Sequence, residues 1–458
     1  MADGGYLKQS KITLQLAYPV MLSQLGQIMV GVSDSVMVGQ LGTAPLAGVS
    51  LGNGIFILFL TFGIGISFGI TPHVAKADGE KNFRAIIEIL KHGFLVNLIV
   101  GIILFLLLIF TSFIFPHLYQ PEEVIILAKP YFLVISSSII PFMIFQAFRQ
   151  FTEGLSLTRQ AMIITVSGNV LNIGLNYIFI FGKLGVPAYG LVGAGVATLI
   201  SRIYMAGAMI AFVLYGRHFK KYWNYFNKKG FDKRLVRNIL NIGLPSGLQF
   251  IFEVGAFSLA AIMMGWLGAI SQAAHQIAIN LAAITYMMAT GLAAATTIRV
   301  GNQLGRKDFR AMREVGLTGF FMSGIFMGMN ALILILGKSF FPTLYIHEIE
   351  VIRTATALIS IAALFQLSDG LQVVGLGALR GMGDVKIPTL FTLVAYWILA
   401  LPIGYLLGFT LKMGATGIWI GLLTGLTVAA VLLLLRFNKL SRLKIISGQA
   451  KDDIADIH

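Results

Sequence analysis

The chain has 458 residues, of which 57% are hydrophobic and only 12% charged, whereas an ordinary soluble domain is about 25% charged. A soluble fold could not bury this excess of apolar residues, summarised by a mean hydropathy of +0.84, but a bilayer can. The net charge of +15 leaves a nucleic acid or an acidic partner to be weighed, and the lack of cysteine excludes disulfide and thiol chemistry.

Along the chain, Met1 to Ser10 is short and polar, and no small-residue cleavage site follows the first apolar run. That run therefore reads as a retained span and not a signal peptide. A spanning helix needs about 20 apolar residues. Stretches 35–75 and 254–298 lack Asp, Glu, Lys and Arg and are each too long for one span, so each holds the turn between two. Twelve helices are expected, over 12–38, 45–71, 93–115, 128–150, 160–181, 190–215, 238–264, 271–298, 315–337, 353–379, 387–409 and 413–436.

Charge placement answers the question raised by the net charge. With the N-terminus inside, the inside loops hold nearly all the Lys and Arg: Lys76, Lys81, Arg84 and Lys91 after span 2, the segment 217–237 after span 6, and Arg299, Arg306, Lys307, Arg310 and Arg313 after span 8. The outside loops hold only Lys129, Lys183, Lys338, Arg353 and Lys412. This is the positive-inside pattern with both termini cytoplasmic, so the basic charge reads as topology and no nucleic-acid partner is expected.

The halves resemble each other at a shift of 226. Pro19 matches Pro245; Gly39, Leu41 and Gly42 match Gly265, Leu267 and Gly268; Gly65, Val74 and Gly79 match Gly291, Val300 and Gly305. The clearest block sets Lys81-Asn82-Phe83-Arg84-Ala85 against Lys307-Asp308-Phe309-Arg310-Ala311, and a weaker echo, at a shift of 224, aligns Gly190 and Gly193 with Gly414 and Gly417. Six spans per half place the halves in the same orientation, an arrangement of transporters with a substrate site at the midplane between them. The expected organisation is an N-terminal bundle 1–216, a basic cytoplasmic linker 217–237, a C-terminal bundle 238–445 and a cytoplasmic tail 446–458.

Three of the 19 acidic residues fall inside spans: Asp34, Glu253 and Asp369. A charge at a helix centre costs roughly 2.5–3.5 kcal/mol on insertion scales, and such residues usually face an internal cavity and serve transport or proton relay. A purely structural pairing with Arg202 is the plainer reading, but one arginine cannot neutralise three carboxylates. A buried carboxylate is a natural exchange point between a proton and a metal cation. Glu253 and Asp369, both in the second half, are expected to share the coupling cation through oxygen ligands, as hard cations prefer. Gln27 occupies the repeat position of Glu253, so the halves differ chemically, and Asp34 is expected to assist substrate or proton binding.

Asn169, Asn172 and Asn176 share one helix face by their spacing; that face lines a cavity or joins helices, and Gln249, Gln276 and Asn280 read the same way. His275 has no partner spaced for a metal site and reads as a packing or hydrogen-bonding residue. Gly381-Met382-Gly383-Asp384 spells a string found in intramembrane aspartyl proteases, but no matching Tyr-Asp partner is evident. Gly63, Gly65 and Gly69 lie inside a span with no following Lys-Ser/Thr, so they are not a nucleotide loop. Without an ATPase signature, transport has to run on a gradient or be passive.

Taken in order, Asp34-Ser35-Val36-Met37-Val38-Gly39-Gln40-Leu41-Gly42, Ala273-Ala274-His275-Gln276-Ile277-Ala278, Arg299-Val300-Gly301-Asn302-Gln303-Leu304-Gly305 and Gly377-Ala378-Leu379-Arg380-Gly381-Met382-Gly383-Asp384 resemble the multidrug and toxic compound extrusion (MATE) family over nearly the whole chain. The embedded Asp34, Glu253 and Asp369 are similar to the acidic set of its NorM-type branch; the archaeal and DinF-like branch has an acid in span 5, where this chain has Asn. The resemblance implies an all-α membrane protein with two six-helix bundles around a V-shaped central cleft. It implies multidrug efflux by secondary antiport: amphipathic organic cations leave in exchange for sodium or proton entry, with no cofactor beyond the coupling ion. If sodium is that ion, Glu253 and Asp369 are the metal ligands implied. A monomer in the plasma membrane is expected, in the inner membrane for a bacterial protein. The related superfamily offers the alternative of a lipid-linked saccharide flippase, which needs several basic residues in its central cavity. No catalytic constellation points to an enzyme.

Overall fold

The computed structural model describes residues 3–117, 120–226 and 230–455. Lys228 and Lys229 of the expected linker and residues 456–458 of the expected tail lie outside the described residues. Within them, twelve helices are long and apolar enough to cross a membrane: α1 (Lys8–Gly39), α2 (Thr43–Gly79), α3 (Phe83–Ser112), α4 (Glu122–Gly154), α5 (Thr158–Phe181), α6 (Gly190–Tyr215), α7 (Lys233–Trp266), α8 (Ala269–Gly305), α9 (Phe309–Gly337), α10 (Ile349–Gly381), α11 (Lys386–Thr410) and α12 (Gly414–Gly448). The expected twelve-span, all-α fold is the one observed.

Several helices outrun the apolar stretches that announced them. α2 continues to Gly79 and α8 to Gly305, so Lys76 and Arg299, expected in loops, are helical. A helix satisfies its own backbone hydrogen bonds whether lipid or water surrounds it. Charged side chains therefore mark where the apolar surface ends and not where the helix ends.

The repeat is built into the backbone. Lys81 (φ 55°) and Lys307 (φ 61°) are left-handed at equivalent turns. The next residue caps the following helix in both halves, Ala85 N–H donating to Asn82 Oδ1 at 3.0 Å and Ala311 N–H to Asp308 Oδ1 at 2.9 Å. Each cap satisfies an amide that would otherwise have no partner at the helix start. Asn82→Ala and Asp308→Ala should each cost about 1 kcal/mol, and the distant pair should be additive. Thermal unfolding of the purified single and double variants measures this, and no loss in either single variant would deny the caps a stabilising role.

The chain forms two compact units, Leu22–Gly247 and Met1–Met21 together with Leu248–His458. The division points lie inside α1 and α7, just after Pro19 and Pro245, where each proline removes a helical N–H donor. In the first unit, a Cβ on Gly65 would come within 2.6 Å of Gly247 N and 2.8 Å of Ser246 C, so α2 meets the start of α7 backbone to backbone. In the second, a Cβ on Gly291 would lie 3.0 Å from Ala17 O, so α8 meets the start of α1 in the same way. Gly65 and Gly291 are repeat partners.

A polar contact accompanies each approach. His73 Nε2 lies 3.2 Å from Asn238 O in the first unit. At the repeat-equivalent position in the second, Arg299 donates through Nη1 to Gln9 O (2.6 Å) and Thr13 Oγ1 (2.5 Å), and through Nη2 to Gln9 Oε1. Part of the expected linker is also docked in the first unit. Lys91 Nζ donates to Gly230 O at 2.7 Å, and Asp232 N–H donates to His92 Nε2 at 2.9 Å. With Nε2 accepting, the ring proton must sit on Nδ1, 2.8 Å from Glu88 O.

Candidate functional site

Among the described residues, the three predicted acids fall in two polar clusters inside the helices, one in each unit. In the first unit a cavity of about 500 Å³ is lined by α1, α2, α4, α5 and α6. Asp34 is half-buried in its wall and accepts a hydrogen bond from Asn176 Nδ2. The same amide nitrogen lies 3.1 Å from Asn172 Oδ1, and Asn172 Nδ2 donates to Thr198 Oγ1 at 3.3 Å. Asn176 Oδ1 is buried and accepts no hydrogen bond among the described residues. Asn169 lies in the wall on the same face of α5, and α1 passes it at Gly26, where a Cβ would meet Asn169 Nδ2 at 2.7 Å. The structure thus sets Asp34, Asn169 and Asn172 in the wall of one space and bonds Asp34 to Asn176 behind it, giving a carboxylate and neutral amide oxygens of the kind that suit a hard cation.

Arg202 of α6 lines the same cavity. Its Nη1 donates to Ser138 Oγ at 2.8 Å, and its guanidinium carbon stands 4.8 Å from the Phe142 ring centroid and 5.1 Å from that of Phe56. Such ring contacts hold a cation while leaving part of it open. Asp34 and Arg202 act on each other electrostatically, yet they form no ion pair among the described residues. Tyr131, whose hydroxyl donates to Asn53 Oδ1 at 2.9 Å, lies in the field of both.

In the second unit Glu253 of α7 and Asp369 of α10 are buried, 7% and 4% exposed, and close enough to act on each other. Tyr286 of α8 stands beside the Glu253 carboxylate and lies in the field of both acids. Tyr396 of α11 lies in the field of both acids, and its hydroxyl is 2.8 Å from Gln372 Nε2 and 3.0 Å from Gln372 Oε1. Tyr396 sits in a π-helical stretch, Val394–Ala400, a helix irregularity frequent at functional sites. Ser323 Oγ is buried and makes no hydrogen bond among the described residues, facing α10 where a Cβ on Gly370 would approach it at 2.6 Å. Two carboxylates, two phenols and an amide can exchange a proton or share one small cation. No group of three or more His, Cys, Asp or Glu side chains suited to a metal occurs among the described residues, so a cation here would also need neutral oxygens.

The remaining polar residues are separate. Gln249 is buried and donates to Thr389 Oγ1 at 3.0 Å, joining α7 to α11. Gln276 is exposed and donates to Asn280 Oδ1 at 3.0 Å, one turn along α8. His275 is buried and accepts from Trp419 Nε1 at 3.1 Å. Asp384 of the protease-like string makes a bidentate ion pair with Arg436 Nε and Nη2, at 2.5 and 2.9 Å, which fastens the α10–α11 turn to α12. Tyr131, Asn53, Tyr286, Tyr396 and Gln372 belong to the clusters but carried little signal in the sequence. Gln372 alone had one, since it lies three residues after Asp369 on the same helix face.

A family profile described as MatE matches the chain twice, over residues 19–178 and 245–406; the matches begin at the repeat partners Pro19 and Pro245. The probable multidrug resistance protein NorM of Idiomarina loihiensis is 34% identical over 446 residues, 96% of this chain and 95% of the relative. The multidrug resistance protein MdtK of Yersinia pseudotuberculosis is 35% identical over 445 residues, 95% of this chain and 97% of the relative. Among solved structures, that of the eukaryotic MATE transporter AtDTX14 matches with a TM-score of 0.86 at 22% identity, covering 97% of this chain and all of that one. At that identity the likeness shows the fold.

Proposed function

This chain belongs to the MatE family, the multidrug and toxic compound extrusion transporters, and from that premise we propose that it exports amphipathic organic cations by antiport against sodium or protons. It is a multi-pass membrane transporter of the multidrug efflux type and not an enzyme. The coupling cation is taken by Glu253 and Asp369, and Asp34 receives the substrate cation or a proton. The observation that carries this reading is the pairing of two buried carboxylates from α7 and α10, because leaving both charged in an apolar interior is costly without a proton or cation. The phenols of Tyr286 and Tyr396 supply oxygens beside them. In the first unit, Asp34 stands in a wall shared with apolar and aromatic side chains, a surface suited to an amphipathic cation.

Transport of a cationic dye by liposomes containing the purified protein, with sodium and pH gradients imposed separately, tests the proposal. Dye movement against its own gradient is expected under at least one of the two. No gradient-driven movement of any cationic dye under either would overturn it. Asp34→Asn is expected to lower dye transport at least about tenfold, the scale of one lost charge-assisted contact. Unchanged dye transport in that variant would remove Asp34 from the substrate and proton path.

A further inference from the structure

The first-unit cavity is not simply acidic. It has one carboxylate, Asp34, and one guanidinium, Arg202, in the same wall of about 500 Å³ of space, and the two are not ion-paired among the described residues. An arginine whose only task was to neutralise Asp34 would be expected to reach it. Arg202 is instead held away by three contacts: the Ser138 hydroxyl and the faces of Phe56 and Phe142. The Ser138 hydroxyl itself donates to Ile135 O at 2.5 Å, so its oxygen is turned toward the guanidinium. A guanidinium has five N–H donors in a planar fork that fits a carboxylate in two-point fashion, and only one hydrogen bond from it, to Ser138, is made among the described residues. For a purely cationic guest Arg202 is a like charge in a space of low polarity, and its presence there costs affinity.

Resting on the export function proposed above, we propose that Arg202 is a specificity-determining residue that binds the carboxylate of zwitterionic amphipathic substrates whose cationic end faces Asp34. The cavity is then matched to guests that carry both charges on an apolar frame, and Phe56 and Phe142 present apolar surface beside the guanidinium. Lysine in place of Arg202 keeps the charge but loses the two-point fork.

The test uses rhodamine 110, whose carboxyl is free, and its methyl ester rhodamine 123, which share one cationic frame. The full-length protein is reconstituted in liposomes and transport of each dye is measured in wild type, Arg202→Gln and Arg202→Lys. Wild type is expected to transport both dyes. Arg202→Gln should raise the KM for rhodamine 110 by about tenfold or more, on the scale of a lost charged hydrogen bond, and leave that for rhodamine 123 unchanged or lower. Arg202→Lys should recover part of the loss. Equal loss of both dyes, or no loss of either, in Arg202→Gln would overturn the proposal. The wild-type comparison is independent of whether any variant folds: transport of the ester without the acid overturns the role of Arg202 and leaves the export function standing. Transport of neither dye counts against the export function itself.

Discussion

Asp369→Asn is expected to abolish ion-coupled transport while leaving the protein folded. Asp369 is 4% exposed on α10 and acts directly on Glu253. Asparagine has nearly the same size and can still hydrogen-bond, but it cannot carry a negative charge or release a proton. If the coupling ion is a proton, the pair loses one of its two exchangeable sites. If it is sodium, the site loses one of two anionic oxygens and its attraction for a hard cation falls accordingly. Removing one of two charges that repel each other indoors does not harm stability, so loss of coupling without loss of thermal stability is the distinguishing outcome. The measurement is dye movement against its gradient, in liposomes with sodium and pH gradients imposed separately, together with the unfolding temperature in detergent. A drop of at least about 100-fold is expected, corresponding to roughly 3 kcal/mol. Wild-type coupling in Asp369→Asn would sink the assignment of this pair.

Gly65→Val is expected to destabilise the first unit severely. Where α2 crosses the start of α7, a Cβ on Gly65 meets Gly247 N at 2.6 Å and the Ser246 carbonyl carbon at 2.8 Å. Backbone atoms in a helix cannot step aside as a side chain can, so the two helices must separate. Small residues at such crossings let membrane helices approach closely, and packing between helices is a main source of their association. Overpacking of this kind costs at least about 3 kcal/mol, or roughly a 10 °C fall in unfolding temperature for a unit of this size. Gly324→Ala in α9 is the matched control, since no described residue packs within 4 Å of a Cβ there; the better helix propensity of alanine should make it neutral or slightly stabilising. Gly65→Val unfolding at the wild-type temperature would show that the crossing tolerates separation.

The repeat anticipated part of this result. Gly65 and Gly291 stood out as matched positions in the sequence, but equally so did Gly39 and Gly265, and nothing in the spacing separates a glycine at a close crossing from one at a helix end. A Cβ on Gly39 would have only Leu46 nearby among the described residues, at 3.9 Å. A further pair of left-handed turns, Ser156 (φ 64°) and Gly383 (φ 80°), is not marked by a sequence match because different residue types adopt the same conformation there. The protease-like string could be set aside in the sequence for want of a Tyr-Asp partner, but what Asp384 does there came only from the packing, where Arg436, 52 residues away, grips both its oxygens.

By itself the sequence determined the twelve spans, the two-fold repeat and the three embedded acids. Each rests on a local or one-dimensional cost: about 20 apolar residues to cross a bilayer, or a penalty for any charge placed within it. Tertiary structure alone decided the partners. It put Asp34 with the α5 asparagines and with Arg202 held apart on two phenylalanines, and it put Glu253 and Asp369 with Tyr286, Tyr396 and Gln372. Those contacts join residues 24 to 168 positions apart in sequence across several helices. A tyrosine or glutamine in an apolar stretch has the same one-dimensional signature whether it faces lipid, a neighbouring helix or a carboxylate. Only the packing of the helices settles which.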